Sequence, residues 1–129
     1  MSDESRFLGE AIELARANIG RGGRPFGAVL VRDGKVIATA VNEIHASNDP
    51  TSHAEMNAIL SARQPLEGCT LYVVPFMPCS NCGAVIVQSG IKRVVTLENN
   101  NERWLESFEI TRQIFGEAGI ELVIRQPLG

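Results

Sequence analysis

One histidine, His53, and a Cys-x-x-Cys pair, Cys79 and Cys82, constrain this chain more than any other feature of its sequence. Three nitrogen and sulfur donors separated by this much chain act together only if the fold carries them to one point. Structural zinc sites are closed by four protein ligands, whereas catalytic sites hold three and leave the fourth position to water or substrate. The donor count therefore asks for a fold that sets residue 53 beside residue 79 and leaves one side of the cluster open.

The elements flanking the donors follow from hydrophobic periodicity. Phe7, Leu8, Ala11, Ile12, Ala15 and Ile19 recur at helical spacing, with Ser2 or Asp3 as cap and Gly20 as stop. Arg21 to Pro25 is a loop, and Phe26–Arg32 and Lys35–Val41 read as strands joined at Asp33-Gly34, a strong hairpin signal. The polar stretch from Asn42 to Ser52 contains Asn48-Asp49-Pro50 and leads into a helix from about His53 to Arg63, capped by Thr51 or Ser52 and ending before Pro65. His53 and Glu55 then fall in that helix's first turn. Cys69–Val74 is an apolar, β-branched run of the buried-strand type, stopped by Pro75 and Pro78. A helix over Cys79–Ser89 closes at Gly90, and a valine-rich strand covers Lys92–Leu97. After a polar loop, Glu98 to Glu102, Arg103–Gly116 is helical, Ile120–Arg125 is a strand, and Gln126 to Gly129 is a tail. A helix between the last two strands implies a right-handed crossover and places them parallel. The expected fold is α/β, a single domain over residues 1–129 with a five-stranded mixed sheet covered by helices on both faces in three α/β/α layers.

Composition narrows the partners. The 129 residues are 44% hydrophobic, enough for a core without disulfide staples. Net charge is -3 and the twelve Lys and Arg are scattered, so the basic stripe of a nucleic-acid binder is missing and a small-molecule substrate is favoured. Three cysteines make an odd count that suits metal binding in a reducing, cytoplasmic setting. Neither a signal-peptide run nor a membrane span is expected.

The chemistry follows from the spacing. On a helix's first turn, sulfurs three residues apart project from one face, and the positive end of the helix dipole favours both thiolates. His53 completes a tripod. Glu55, two residues on, does not share its coordination position, so its carboxylate is free to face the fourth ligand. Zinc lowers the pKa of a bound water to about 7, which provides a nucleophile at neutral pH. Glu55 would accept its proton, pass one to a ring nitrogen and later protonate a departing amine. The reaction that fits is hydrolytic attack on an amidine-type ring carbon with loss of ammonia.

His53-Ala54-Glu55 paired with Pro78-Cys79-Ser80-Asn81-Cys82 is the known signature of zinc nucleobase deaminases, and the chain resembles the cytidine deaminase superfamily over nearly its whole length. Residues Pro25 to Val29, Asn42 and Asn48 to Glu55 look like the guanine deaminase and tRNA adenosine deaminase branch. Cys79 to Val95, especially Gln88 to Val95, looks more like deoxycytidylate deaminases. Met77 stands where guanine and tRNA enzymes usually carry Glu, and Phe26 where tRNA enzymes usually carry Val. A helix before the last strand sets the chain apart from free cytidine deaminases, which usually have a hairpin there. The resemblance implies zinc as cofactor, a guanine- or cytosine-type nucleobase or related heterocycle as substrate, and a homodimer or tetramer. It also implies that Asn42 hydrogen-bonds the base, that Phe26 lies against it, and that the backbone at Ala54 contacts its carbonyl, with Pro78 in the substrate site. A cytosine mononucleotide deaminase and a tRNA or other nucleic-acid deaminase are the alternatives. Arg21 and Arg24 would hold a substrate phosphate under the first of these, or form a solvated turn. Cys69 reads as core, His45 as a solvated loop residue that could touch substrate, and Trp104 and Phe108 as core or a subunit contact on a helix that could line the pocket.

Overall fold

A computed structural model describes residues 3–44, 53–99 and 102–126. In chain order the elements are α1 (Asp3–Gly20), β1 (Gly27–Arg32), β2 (Lys35–Val41), α2 (Ala54–Ala62), β3 (Thr70–Val74), α3 (Ser80–Ser89), β4 (Arg93–Leu97), a 3-10 turn (Glu102–Trp104), α4 (Leu105–Ala118) and β5 (Glu121–Arg125). The proposed caps Thr51 and Ser52, the Asn48-Asp49-Pro50 turn, His45 and Ser2 lie outside the described residues.

The five strands form one mixed sheet in the order β2-β1-β3-β4-β5. β1 runs antiparallel to both β2 and β3, while β4 is parallel to β3 and to β5. The parallel pairing of the last two strands is the one expected from the helix between them. Asp33 and Gly34 both take positive φ, 50° and 75°, as a two-residue turn matched to the twist of a hairpin demands. The register slips between Leu30 and Val31, a bulge that the sequence does not announce.

Strand side chains divide by parity. Val29, Val31, Tyr72, Val74 and Val95 face Phe7, Leu8, Ala11 and Ala15 of α1. Their neighbours Ala28, Leu30, Leu71, Val73 and Val94 face Ala54 and Ala58 of α2, Ile86 of α3 and Phe115 of α4. Both faces being covered explains why β1 and β3 read as continuous apolar runs rather than alternating ones. Cys69 is fully buried in the second cluster, as expected of a core thiol.

Register fixes where the loops meet. Gly27 pairs with Val41 on one side and Val74 on the other. The start of β1, the end of β2 and the end of β3 therefore share one edge, which brings Phe26, Asn42 and Phe76 together from three distant stretches of chain.

Candidate active site

At that edge the N-termini of α2 and α3 converge. The donors sit one position earlier than their sequence suggests: His53 and Cys79 are the N-cap residues rather than members of the first turns, both with extended backbone (φ -72°, ψ 154° and φ -67°, ψ 169°). Neither side chain caps its helix. Extended backbone is the usual conformation of an N-cap, but here the two side chains are turned toward each other.

His53 Nδ1 lies 3.2 Å from Cys82 Sγ and 3.9 Å from Cys79 Sγ, and the three donor atoms fall within 4.8 Å of one another. Tetrahedral zinc, with bonds of about 2.3 Å to sulfur and about 2.0 Å to nitrogen, sets its ligand atoms about 3.5 to 3.8 Å apart. The two distances bracket that span, so the donor set fits zinc. The electrostatics agree. The Cys79 thiol is drawn down to about 4, first by its hydrogen bond with Cys82 and then by His53, against the opposing effect of burial. Cys82 moves the other way, raised by the same contact with Cys79 and by burial. His53 is raised, chiefly by its bond to Cys79. The two thiols thus compete for one negative charge, a conflict that a divalent cation would relieve by holding both as thiolates.

Glu55, in the first turn of α2, is 6% exposed. Burial raises its carboxyl above the usual carboxylate range, the charge of Cys79 adds to this, and His53 opposes it. A carboxyl whose affinity for a proton is raised by burial is suited to act as acid and base in one reaction.

The donors open into a cleft of about 80 Å³ lined by Arg24, Phe26, Asn42, Ile44, Phe76 and Trp104 together with His53, Glu55 and Cys79. Phe26 meets Phe76 edge to face at 5.2 Å, and Phe76 packs on the buried Phe108 at 5.3 Å. Asn42 is buried, and its Oδ1 accepts the Ile44 N–H at 3.1 Å. Its amide NH2 is thereby oriented as a donor. Asn18 of α1 donates to the carbonyls of Arg24 and Asn42, both at 2.8 Å, and ties the two lips of the cleft together.

The remaining site expectations divide. Arg24 borders the cleft, whereas Arg21 lines a neighbouring hollow of about 440 Å³ with Asn18, Gly22, Gly23 and Glu43, and Asn42 borders both. Ala54 is fully buried in the core, and Pro78 is buried with its carbonyl accepting from Thr111 Oγ1 at 3.0 Å; neither side chain lines the cleft. Trp104 does line it, at 38% exposure. Phe76 and Ile44 were not legible as site residues. A Phe following Pro75, just past the end of a strand, is the only local hint for the first of them.

The family profile described as the cytidine and deoxycytidylate deaminase zinc-binding region matches residues 1–98. An uncharacterized deaminase of Aliivibrio fischeri is 35% identical over 112 residues, which cover 74% of this chain and 76% of that protein. The guanine deaminase of Bacillus subtilis is 44% identical over 86 residues, 61% of this chain, and the match spans only 54% of that enzyme. In a solved structure from work on A-to-I editing by tRNA:A34 deaminases, the similarity reaches a TM-score of 0.82 at 30% identity, with 95% of this chain and 99% of that one covered. With the donor geometry, these matches place the chain in the cytidine and deoxycytidylate deaminase family, as a zinc-dependent hydrolytic deaminase.

Proposed function

We propose that this protein removes ammonia hydrolytically from an amino-substituted nucleobase or related heterocycle of guanine or cytosine type. The observation that carries the reading is the buried carboxyl of Glu55 standing beside the His53, Cys79 and Cys82 tripod at the inner end of an aromatic cleft. His53, Cys79 and Cys82 would hold zinc, which when bound supplies the Lewis acidity for hydrolysis at neutral pH. Glu55 takes one proton from the attacking water and passes it to the ring nitrogen, then takes the second from the hydroxyl left on the attacked carbon and passes it to the amine, which leaves as ammonia. Phe26, Phe76 and Trp104 hold the ring flat and exclude bulk water. The Asn42 amide donates to a ring carbonyl or ring nitrogen. A site built to donate at that point rejects rings without an acceptor there, because a buried donor would lose its partner.

The small volume supports enclosure of one ring, with anything attached to it left at the mouth beside Arg24. For that reason the similarity to the tRNA deaminase structure supports a second reading, an adenosine deaminase acting on a flipped-out base in RNA. The net charge of -3 favours the free base. A homodimer in the cytoplasm completes the proposal, supported by the exposed Leu105 and Ile110 on α4. No helix among the described residues is long and apolar enough to cross a membrane.

Ammonia release by the zinc-loaded protein decides between the readings when measured on free bases, the matching nucleosides and mononucleotides, and a tRNA anticodon stem-loop. Turnover of a free guanine- or cytosine-type ring is the expected result. Turnover confined to the stem-loop would overturn the free-base reading in favour of the second, and turnover confined to a mononucleotide would restore the phosphate role of Arg24.

A further inference from the structure

Cys79 is the N-cap of α3, yet its side chain is turned to the tripod and makes no cap hydrogen bond. A helix start leaves backbone N–H groups that need partners, and an N-cap side chain usually supplies one. Here the partner comes from another helix. Ser107 Oγ, in the first turn of α4, accepts the Ser80 N–H at 2.8 Å and lies 3.2 Å from Ser80 Oγ. One turn later Thr111 Oγ1, in a residue with no exposed surface, donates to the Pro78 carbonyl at 3.0 Å, sharing its hydrogen with the Ser107 carbonyl, also at 3.0 Å. These two hydroxyls grip the backbone on either side of Cys79. Gly83 allows the approach: a Cβ there would lie 3.1 Å from Thr111 Cγ2 and 3.4 Å from Ile114 Cδ1, so α3 and α4 are about as close as a bare glycine permits.

We propose that Ser107 and Thr111 are positioning residues of the metal centre, holding Cys79 so that its Sγ stays in register with His53 and Cys82. The inference rests on the reading of these three residues as zinc ligands. Both hydroxyls lie beyond residue 98, outside the part of the chain that the zinc-binding family profile matches. The tripod is thus supported by a segment that the profile does not describe. The first N–H of α3 is thus met by a hydroxyl of α4, while the Cys79 side chain stays turned to the other two donors.

The test uses full-length, zinc-loaded protein and zinc transfer to a chromophoric chelator, a readout independent of any substrate. Loss of a residue that orients a metal ligand typically weakens metal binding 10- to 100-fold. Ser107→Ala and Thr111→Val are each expected to weaken zinc at least about 10-fold, with Ser107→Thr, which retains the hydroxyl, close to wild type. Melting of the zinc-free forms is the comparison. A positioning role predicts that the variants differ from wild type much more with zinc than without it. Wild-type zinc affinity in both variants, with equal loss of melting temperature in zinc-free and zinc-loaded protein, would reduce the hydroxyls to helix packing and overturn the proposal. If Ser107→Ala fails to fold, Thr111→Val carries the same comparison. Wild-type protein that takes up no zinc would overturn the metal reading itself, an outcome distinct from either variant result.

Discussion

Gly27→Ala tests how α1 is seated on the sheet. Gly27 opens β1, and a methyl group added there would fall well inside contact distance of the Ala11 carbonyl oxygen, with Ala15 N at 3.1 Å and Leu14 Cβ at 3.2 Å. These neighbours are largely helix backbone and cannot rotate aside. Restoring a carbon-to-oxygen approach of about 3.3 Å requires α1 to retreat by about 1 Å. A gap of that size forfeits a quarter to a half of each dispersion contact it opens, and it opens them between Phe7, Leu8, Ala11 and Ala15 and the strand residues beneath. Overpacking of this kind costs about 1 to 3 kcal/mol, against a gain of about 0.4 to 1 kcal/mol from a stiffer unfolded chain. The clash wins, and the net loss is about 1 kcal/mol. For a chain of this size that is a fall in melting temperature of about 4 to 5 °C by calorimetry. Gly9→Ala is the internal control: the same substitution within α1 meets nothing within 4 Å and should stabilise by about 0.5 to 1 kcal/mol. Equal effects from the two changes would refute the claim that a missing Cβ sets the spacing between helix and sheet.

Further outcomes follow from the site. Cys69→Ala should still bind one zinc per chain, at a stability cost of about 1 kcal/mol for the lost core volume, whereas Cys79→Ala should lose stoichiometric zinc; metal analysis of the purified variants decides. In zinc-free protein the lowered pKa of Cys79, about 4, keeps it a thiolate across the neutral range. Its alkylation rate should therefore hold nearly level from pH 8 down to about pH 5 and drop only as pH falls through about 4, while Cys82, shifted upward, stays unlabelled by peptide mass mapping. The sign for stability is the same: the contribution from Cys79 is complete above its unfolded value and declines as pH falls toward the folded one. Removing zinc should lower the melting temperature as well as activity, since a free metal concentration 1,000 times Kd contributes about 4 kcal/mol.

Much of this architecture is written locally. The Asp33-Gly34 turn, the period of α1 and the apolar runs of β1 and β3 specify their own conformations, and the helix between β4 and β5 makes those strands parallel. The three donors and Glu55 were legible because metal chemistry restricts which residues serve. The sheet order was not, since an antiparallel β1–β3 pair at its centre depends on which strand faces find cover. Placing His53 and Cys79 inside helices missed by one residue, because a helix start is set by φ and ψ at the cap and His and Cys are not typical caps. Phe76, Ser107 and Thr111 act through contacts with segments far away in sequence, and no local pattern marks them. The late start of α4, after a 3-10 turn at Glu102–Trp104, also carries Trp104 into the cleft.

The central claim is that Glu55 moves the protons of a zinc-dependent deamination, and the most direct measurement is ammonia release by zinc-loaded wild type and Glu55→Gln on the best substrate of the panel. The account predicts that the amide variant keeps one zinc per chain, folds at least as stably because a buried ionisable carboxyl is gone, and loses about 10²- to 10⁴-fold in kcat. Turnover by Glu55→Gln at the wild-type rate, with zinc in place, would contradict it.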